Sequence, residues 1–263
     1  MVITLLTDLG YKDSSVGIVK GILSQTIPHA NIIDITHDVM PFHILECSYL
    51  LKKSYRHFPD YTFHLCLFDI PLKNAAYWLL LNIDRQLILC PDNGVLPLSF
   101  PEHVDEVYKI PLRANSFMDC IHQISFVLAE WQNGGFTMSS MEKVVPKVTI
   151  PNLKPVLTSD GVDAQILHID SYGNVVYNLQ KHEFNTIFGD RKFNIHYSRH
   201  EVANKIVSFY EDASEGDTLF RFNDSGFLEF AVNRGSAAEL YGLKKANAVQ
   251  LVYSKISIRF RND

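Results

Sequence analysis

The stretch Thr4-Leu5-Leu6-Thr7-Asp8-Leu9-Gly10-Tyr11-Lys12-Asp13-Ser14-Ser15-Val16-Gly17 decides how this chain reads. An apolar run leads into an acid, a glycine, a second acid and two hydroxyls, and a helical pattern then follows over residues 16–25. In an open α/β sheet, ligands sit outside the carboxyl ends of the strands. That rule places Asp8, Asp13 and Ser15 at one mouth. Asp8 can accept two hydrogen bonds from a vicinal diol, and Ser14 or Ser15 can cap the helix that follows. Taken alone, the same residues also suit a turn acid beside an ordinary helix cap.

Outward from this stretch, buried strands are predicted at residues 2–7, 31–35, 62–68, 77–83 and 86–90. Helical patterns lie at residues 16–25, 44–55 and about 117–132, the last stopped by Asn133-Gly134-Gly135. Strands separated by such helices imply an α/β fold with a mainly parallel sheet and right-handed crossovers. Pro146, Pro151 and Pro155 mark an extended linker over residues 146–157, dividing a domain at 1–145 from one at 158–263. Beyond the linker the chain reads as strands at residues 164–169, 174–178, 192–197, 218–222, 227–232, 249–253 and 255–260, with one short helix at 236–241. Many short strands with Gly, Asp and Asn turns point to a small antiparallel β-barrel.

A length of 263 residues accommodates one large domain or two modest ones, each with a real core. The net charge of −5, with no basic run longer than Lys52-Lys53, gives no footprint for a nucleic-acid partner. No apolar run approaches the roughly 20 residues that cross a bilayer, so no membrane partner is expected. The first residues lack a basic leader and read directly as a strand, so no signal peptide is expected. Cys47, Cys66, Cys90 and Cys120 are scattered, with no C-x-x-C pair, as expected of reduced, buried thiols in a cytoplasmic protein. No G-x-G-x-x-G follows any strand, which counts against a dinucleotide-binding oxidoreductase. The eleven histidines show no metal-ligand spacing. His37, His43, His57 and His64 read most simply as surface or satisfied core residues.

Further motifs follow in order: Ile32-Ile33-Asp34-Ile35-Thr36-His37, Pro41-Phe42, Phe58-Pro59, Pro91-Asp92-Asn93-Gly94, and Ile169-Asp170-Ser171-Tyr172-Gly173-Asn174. The last begins at Asn223-Asp224-Ser225-Gly226 and runs through Asn233-Arg234-Gly235-Ser236-Ala237-Ala238. Together with the opening stretch they resemble the S-adenosylmethionine (SAM) hydroxide adenosyltransferase family, which is related to SAM-dependent fluorinating and chlorinating enzymes. The resemblance implies an N-terminal Rossmann-like α/β domain followed by a β-barrel. It implies SAM or adenosine as the ligand, with no cofactor and no metal. It further implies a homotrimer with intersubunit sites, the ligand lying between the α/β domain of one subunit and the barrel of the next. Asp8, Asp13 and Ser15 stand where the family places ribose and methionine contacts, and Phe42 stands at an aromatic position beside the substrate. Asp170 and Asn174 match an acid and an amide at the amino-acid end of SAM, with Tyr172 between them. Tyr210 matches an aromatic that packs on adenine, and Asn223, Asp224 and Ser225 match a loop that reads the base edge.

The family's reaction is attack of water or hydroxide on C5′ of SAM, giving adenosine and methionine. The sulfonium leaves as a neutral thioether, so no general acid is needed at that end. Holding the ribose, aligning the nucleophile with the C5′–S bond and stripping its solvent are the tasks left to the protein. Hydroxide-forming members resemble V-V-D-P-G-V-G-T with an Arg seven residues after the Asp, and a His in T-F-H-G-R-D. Here Leu67-Phe68-Asp69-Ile70-Pro71-Leu72-Lys73 keeps Asp69, loses both glycines, and places Ala76 at the Arg position. Ser116-Phe117-Met118-Asp119 places Met118 at the His position. Asp69 is thus the remaining catalytic candidate, with Lys73 and His122 as possible substitutes. Two readings follow: a SAM hydrolase with weakened activity, and a non-catalytic sensor or scaffold that binds SAM or adenosine. The short span between Asp69 and Pro91, and the charge on Asp69, speak against halogenation.

Overall fold

The computed structural model describes residues 1–71, 77–135, 137–147, 154–244 and 255–261. The chain forms two compact units, Met1–Pro151 and Asn152–Asp263. The first contains β1 (Val2–Thr7), α1 (Ser15–Thr26), β2 (Asn31–Thr36), α2 (Ile44–Ser54), β3 (Phe63–Leu67), β4 (Tyr77–Ile83), β5 (Gln86–Pro91), α3 (Val95–Ser99), β6 (Tyr108–Pro111) and α4 (Phe117–Gln132). The strands lie in the order β2-β1-β3-β5-β4-β6. β1, β2, β3 and β5 run parallel, while β4 is antiparallel to both β5 and β6.

The apolar run of β1 is explained by cover on both faces. Ile3 and Leu5 pack with Val19 and Leu23 of α1 and with Ile121 and Ile124 of α4. Leu6 instead joins Leu51 of α2 and Leu96 of α3. A strand buried on both sides shows no alternation and reads as a continuous apolar segment. β4 and β5 form a hairpin whose turn residues Asp84 and Arg85 have φ of 49° and 60°. Both values suit the two-residue turns that match strand twist. Tyr55 Oη and Arg56 Nε each donate to Asp84 Oδ2 at 2.8 Å, so the turn is held from outside.

The second unit contains β7 (Val156–Thr158), β8 (Gly161–Ile169), β9 (Val175–Gln180), α5 (Lys181–Phe188), β10 (Phe193–His196), β11 (Val202–Ala203), β12 (Thr218–Phe222), β13 (Phe227–Val232), α6 (Ala237–Leu240) and β14 (Lys255–Phe260). Its order is β11-β10-β14-β8-β9-β13-β12, with β7 on β8. Among the described residues these strands pair antiparallel, with one isolated parallel bridge between Val207 and Arg221. β8 serves both halves, pairing with β14 up to Gln165 and with β9 from Ile166, across a register shift between Ile166 and His168. Such a shift bends a strand, and the result is a barrel-like sheet. Tyr197 Oη meets Thr218 Oγ1 at 3.1 Å and the N–H of Val207 donates to the carbonyl of Phe220 at 2.8 Å, drawing the edges together.

Several short elements differ from expectation. α3, five residues long, is too short to show a helical period, and the four-residue β6 is equally silent. α5 rests on a capping box between Gln180 and Glu183 and on stacked Phe184 and Phe188, with ring centroids 4.8 Å apart. β7 begins inside the stretch expected to be linker, whose residues 148–153 lie outside the described ones, as does the strand expected at 249–253. Among the described residues no helix is long and apolar enough to cross a membrane.

Candidate functional site

β1 and β3 are neighbours in parallel register, with Thr7 opposite Leu67. The chain leaving each strand therefore arrives at the same mouth. There the carboxylate oxygen Oδ2 of Asp8 accepts the backbone N–H of Asp69 at 3.2 Å. Asp69 is exposed and adopts φ 41°, a conformation uncommon for residues other than glycine. Asn93, just past β5, holds it there: Nδ2 donates to the carbonyl of Phe68 at 2.7 Å and more distantly to that of Asp69 at 3.4 Å. Asn93 Oδ1 in turn accepts the N–H of Val95 at 3.2 Å, where α3 begins. Burial raises the pKa of Asp8, the Asp69 N–H opposes that rise, and the charge of Asp69 adds to it; the net direction is upward.

The loop after Asp8 is braced from β2. Thr7 Oγ1 and His37 Nδ1 are 2.8 Å apart, and the N–H of Gly10 donates to the carbonyl of His37 at 2.7 Å. Burial alone would raise Asp34, but the hydrogen bond from Lys20 and the close approach of His37 outweigh it and hold the carboxyl below its ordinary value. The expected serine cap of α1 is corrected: Ser14 occupies the cap position without a side-chain bond, and Asp13 Oδ1 accepts the N–H of Ser15 at 2.8 Å. An acid two residues ahead reaches the free N–H of the first turn as well as a serine does. Hydrogen bonds from Ser15 also hold the Asp13 carboxyl below its usual value. Phe42 is exposed with φ 65°.

Of the possible substitutes, Lys73 lies outside the described residues, as does Ala76. His122 is exposed in the second turn of α4, and no hydrogen bond joins it to Asp69 among the described residues. Met118 is exposed in the first turn of the same helix. His37, His43 and His64 are buried, and none lies in a metal-binding group of described residues.

In the second unit the expected residues form two turns and one charged cluster. Asp170 Oδ1 accepts the N–H groups of Tyr172 and Asn174, each at 2.9 Å, and Asn174 Nδ2 donates to Asp170 Oδ2 at 3.1 Å. The turn leaves the Tyr172 ring exposed and Asn174 buried. Gly173 has φ 80°, and a Cβ there would meet Ser236 Oγ at 2.0 Å, so the turn sits directly on the start of α6. Asn223 Oδ1 accepts from the N–H of Ser225 at 3.0 Å and of Phe227 at 3.1 Å, closing the β12–β13 hairpin. Tyr210 Oη donates to Glu229 Oε1 at 2.7 Å, while the Arg221 guanidinium lies 4.7 Å from the Tyr210 ring centre. Arg221 also reaches Glu229 at 3.5 Å and the exposed Asp224 at 3.7 Å. Burial, then the bond to Glu229, pushes the Tyr210 hydroxyl pKa up.

Sequence reasoning missed Asn93, Arg221 and Glu229. The signal for Asn93 was an Asn-Gly turn at the carboxyl end of a buried strand. The signal for the other two was opposite charge on successive strands, where Arg221 and Glu229 form a direct cross-strand pair.

Comparison with known proteins agrees with this layout. The model of the SAM hydroxide adenosyltransferase N-terminal domain matches residues 3–150, and that of the C-terminal domain matches residues 164–250. The chain is similar to an (R)-S-adenosyl-L-methionine hydrolase of Thermus thermophilus, 24% identical over 268 residues covering 94% of this chain and 98% of that protein. It is equally similar to the (R)-S-adenosyl-L-methionine hydrolase of Methanocaldococcus jannaschii, 24% identical over 96% of each chain. A crystal structure of an uncharacterized conserved protein from Thermotoga maritima superposes with a TM-score of 0.79 at 25% identity, covering 98% of this chain and 100% of the other. With both domain models matched in order along an α/β unit and a barrel-like unit, the chain belongs to the SAM hydroxide adenosyltransferase family.

Proposed function

We propose that this protein binds SAM at the mouth carrying Asp8 and Asp69 and hydrolyses it at C5′, giving adenosine and L-methionine at a reduced rate. The observation that carries the reading is the hydrogen bond from the Asp69 backbone to Asp8, which sets two acids side by side at the ends of neighbouring strands. In this reading Asp8 takes the ribose diol, and the Asp69 carboxylate orients the attacking water. An oxygen lone pair forms the C5′–O bond as the C5′–S pair returns to sulfur, and the water releases one proton to solvent. The sulfonium charge is thereby lost, so the leaving group needs no proton. Asp13, Ser15 and Phe42 complete the contacts of this unit. Asp170, Tyr172 and Asn174 serve the amino-acid end, Tyr210 the adenine face, and Asn223, Asp224 and Ser225 the base edge.

Met118 at the family's His position favours a second reading, a SAM or adenosine binder without turnover. The proposal extends to a homotrimer with intersubunit sites, acting in the cytoplasm, where four free cysteines stay reduced. The test is calorimetry of wild-type protein and Asp8→Ala with SAM, adenosine and methionine, alongside light scattering. Binding by wild type, its loss in Asp8→Ala, and a trimer mass are expected. No binding of any of the three at millimolar ligand would overturn the ligand assignment, and a ligand-binding monomer would overturn the assembly.

A further inference from the structure

His37 contacts the loop bearing Asp8 at Thr7, Gly10 and Tyr11. Thr7 and His37 are each 1% exposed. Thr7 Oγ1 accepts the N–H of Leu9 at 3.3 Å and lies 2.8 Å from His37 Nδ1. The other ring nitrogen, Nε2, faces Asp34 Oδ1 at 3.1 Å, off good hydrogen-bond alignment. Asp34 is anchored by Lys20 of α1 at 2.6 Å. On the far side of Asp8, the carbonyl of His37 accepts the Gly10 N–H at 2.7 Å, and the Tyr11 ring stands edge-on to the imidazole at 5.0 Å. Hydroxyl, imidazole and carboxylate in a row resemble a nucleophile relay, but Thr7 is buried and its oxygen already holds the Leu9 N–H. The row braces rather than attacks.

From this we infer that the Thr7–His37 pair positions the Asp8 loop for SAM binding, Thr7 Oγ1 holding the Leu9 N–H on one side and the His37 carbonyl the Gly10 N–H on the other. The inference rests on the assignment of Asp8 to the SAM site. The same strand supplies a control: Thr4 Oγ1 and His64 Nδ1 are also 2.8 Å apart and buried, but that pair bonds to Gln86 rather than to the loop. A positioning error at a binding loop costs affinity without a comparable loss of fold.

The experiment measures amide exchange at Leu9 and Gly10, and SAM affinity by calorimetry, in wild type, Thr7→Val, Thr7→Ser and Thr4→Val. Thr7→Val should speed exchange at both amides and weaken SAM binding about tenfold. Thr7→Ser should restore both, and Thr4→Val should change neither. If wild type binds no SAM, the functional reading falls and this role with it. If wild type binds SAM and Thr7→Val binds equally well, or resembles Thr4→Val in exchange, the positioning role alone is overturned.

Discussion

The Asp8 carboxylate accepts the backbone N–H of Asp69 across 3.2 Å, tying the exit of β1 to the exit of β3. One acid thereby orders the other without neutralising it. Asp69 adopts φ 41° at this bond, and Asn93 secures the same turn from β5. Three consecutive strands of the sheet, β1, β3 and β5, thus converge on one acidic mouth.

Burial raises the pKa of Asp8, so the ligand-free fold loses stability as pH rises from the ordinary 3.8 through the raised value and bears the full cost above it. Asp8→Asn keeps an oxygen for the Asp69 N–H and removes that charge. Its melting temperature at neutral pH should rise, while SAM affinity falls between about tenfold and a hundredfold. Calorimetry and thermal unfolding of the one variant read both; a fall in both would show Asp8 to be structural.

Asn93→Ala removes the donor that holds the Phe68 carbonyl and frees Asp69 from its left-handed conformation. Turnover should drop about tenfold to a hundredfold, with KM nearly unchanged, because the loss falls on aim rather than on binding. Steady-state kinetics with SAM decide it. An equal rise in KM would place Asn93 among the ligand contacts instead.

Burial pushes the His64 ring down to about 4 from its ordinary 6.5. The unfolded chain takes up a proton below about 6.5, whereas the folded ring stays neutral until about 4. His64 therefore contributes fully above 6.5, and that contribution is lost as pH falls to 4, about 3 kcal/mol in all. Urea unfolding across this window should show a steeper pH slope in wild type than in His64→Gln. Identical slopes would assign the acid sensitivity elsewhere.

Asp163 gives the barrel-like unit a later acid limit. Burial opposes its charge, but hydrogen bonds from Lys255, Arg259 and Ser257 prevail and hold it at about 2. Its contribution is present above the ordinary 3.8 and disappears as pH falls toward 2. Asp163→Asn should destabilise this unit by about 2 kcal/mol at pH 7 and by little at pH 2, as read by denaturant unfolding.

Much of the fold was legible because its strongest patterns are local. β1 is apolar on both faces, and α4 runs over residues 117–132, as its periodicity predicts. α5 was not legible, since Lys181-His182-Glu183-Phe184 shows its helix only through a cap and a phenylalanine pair. At the site, Asp8 and Asp69 could each be read as a strand-end acid. That they meet depends on β1 lying beside β3, a strand order no spacing records. Asn93 and the Arg221–Glu229 pair were hidden for the same reason, being matters of neighbouring strands and register.

The most direct test is adenosine release from SAM by wild type, Asp69→Asn and the double variant Ala76→Arg with Met118→His. Asparagine tolerates the φ of 41° at position 69, so Asp69→Asn changes the charge and keeps the turn. Wild-type turnover should be slow, about 10²–10⁴ below relatives that carry all three groups. Asp69→Asn should lose more, and the double variant should gain. Wild-type turnover equal to that of those relatives, and unchanged in Asp69→Asn, would rule out Asp69 as the residue that orients the water.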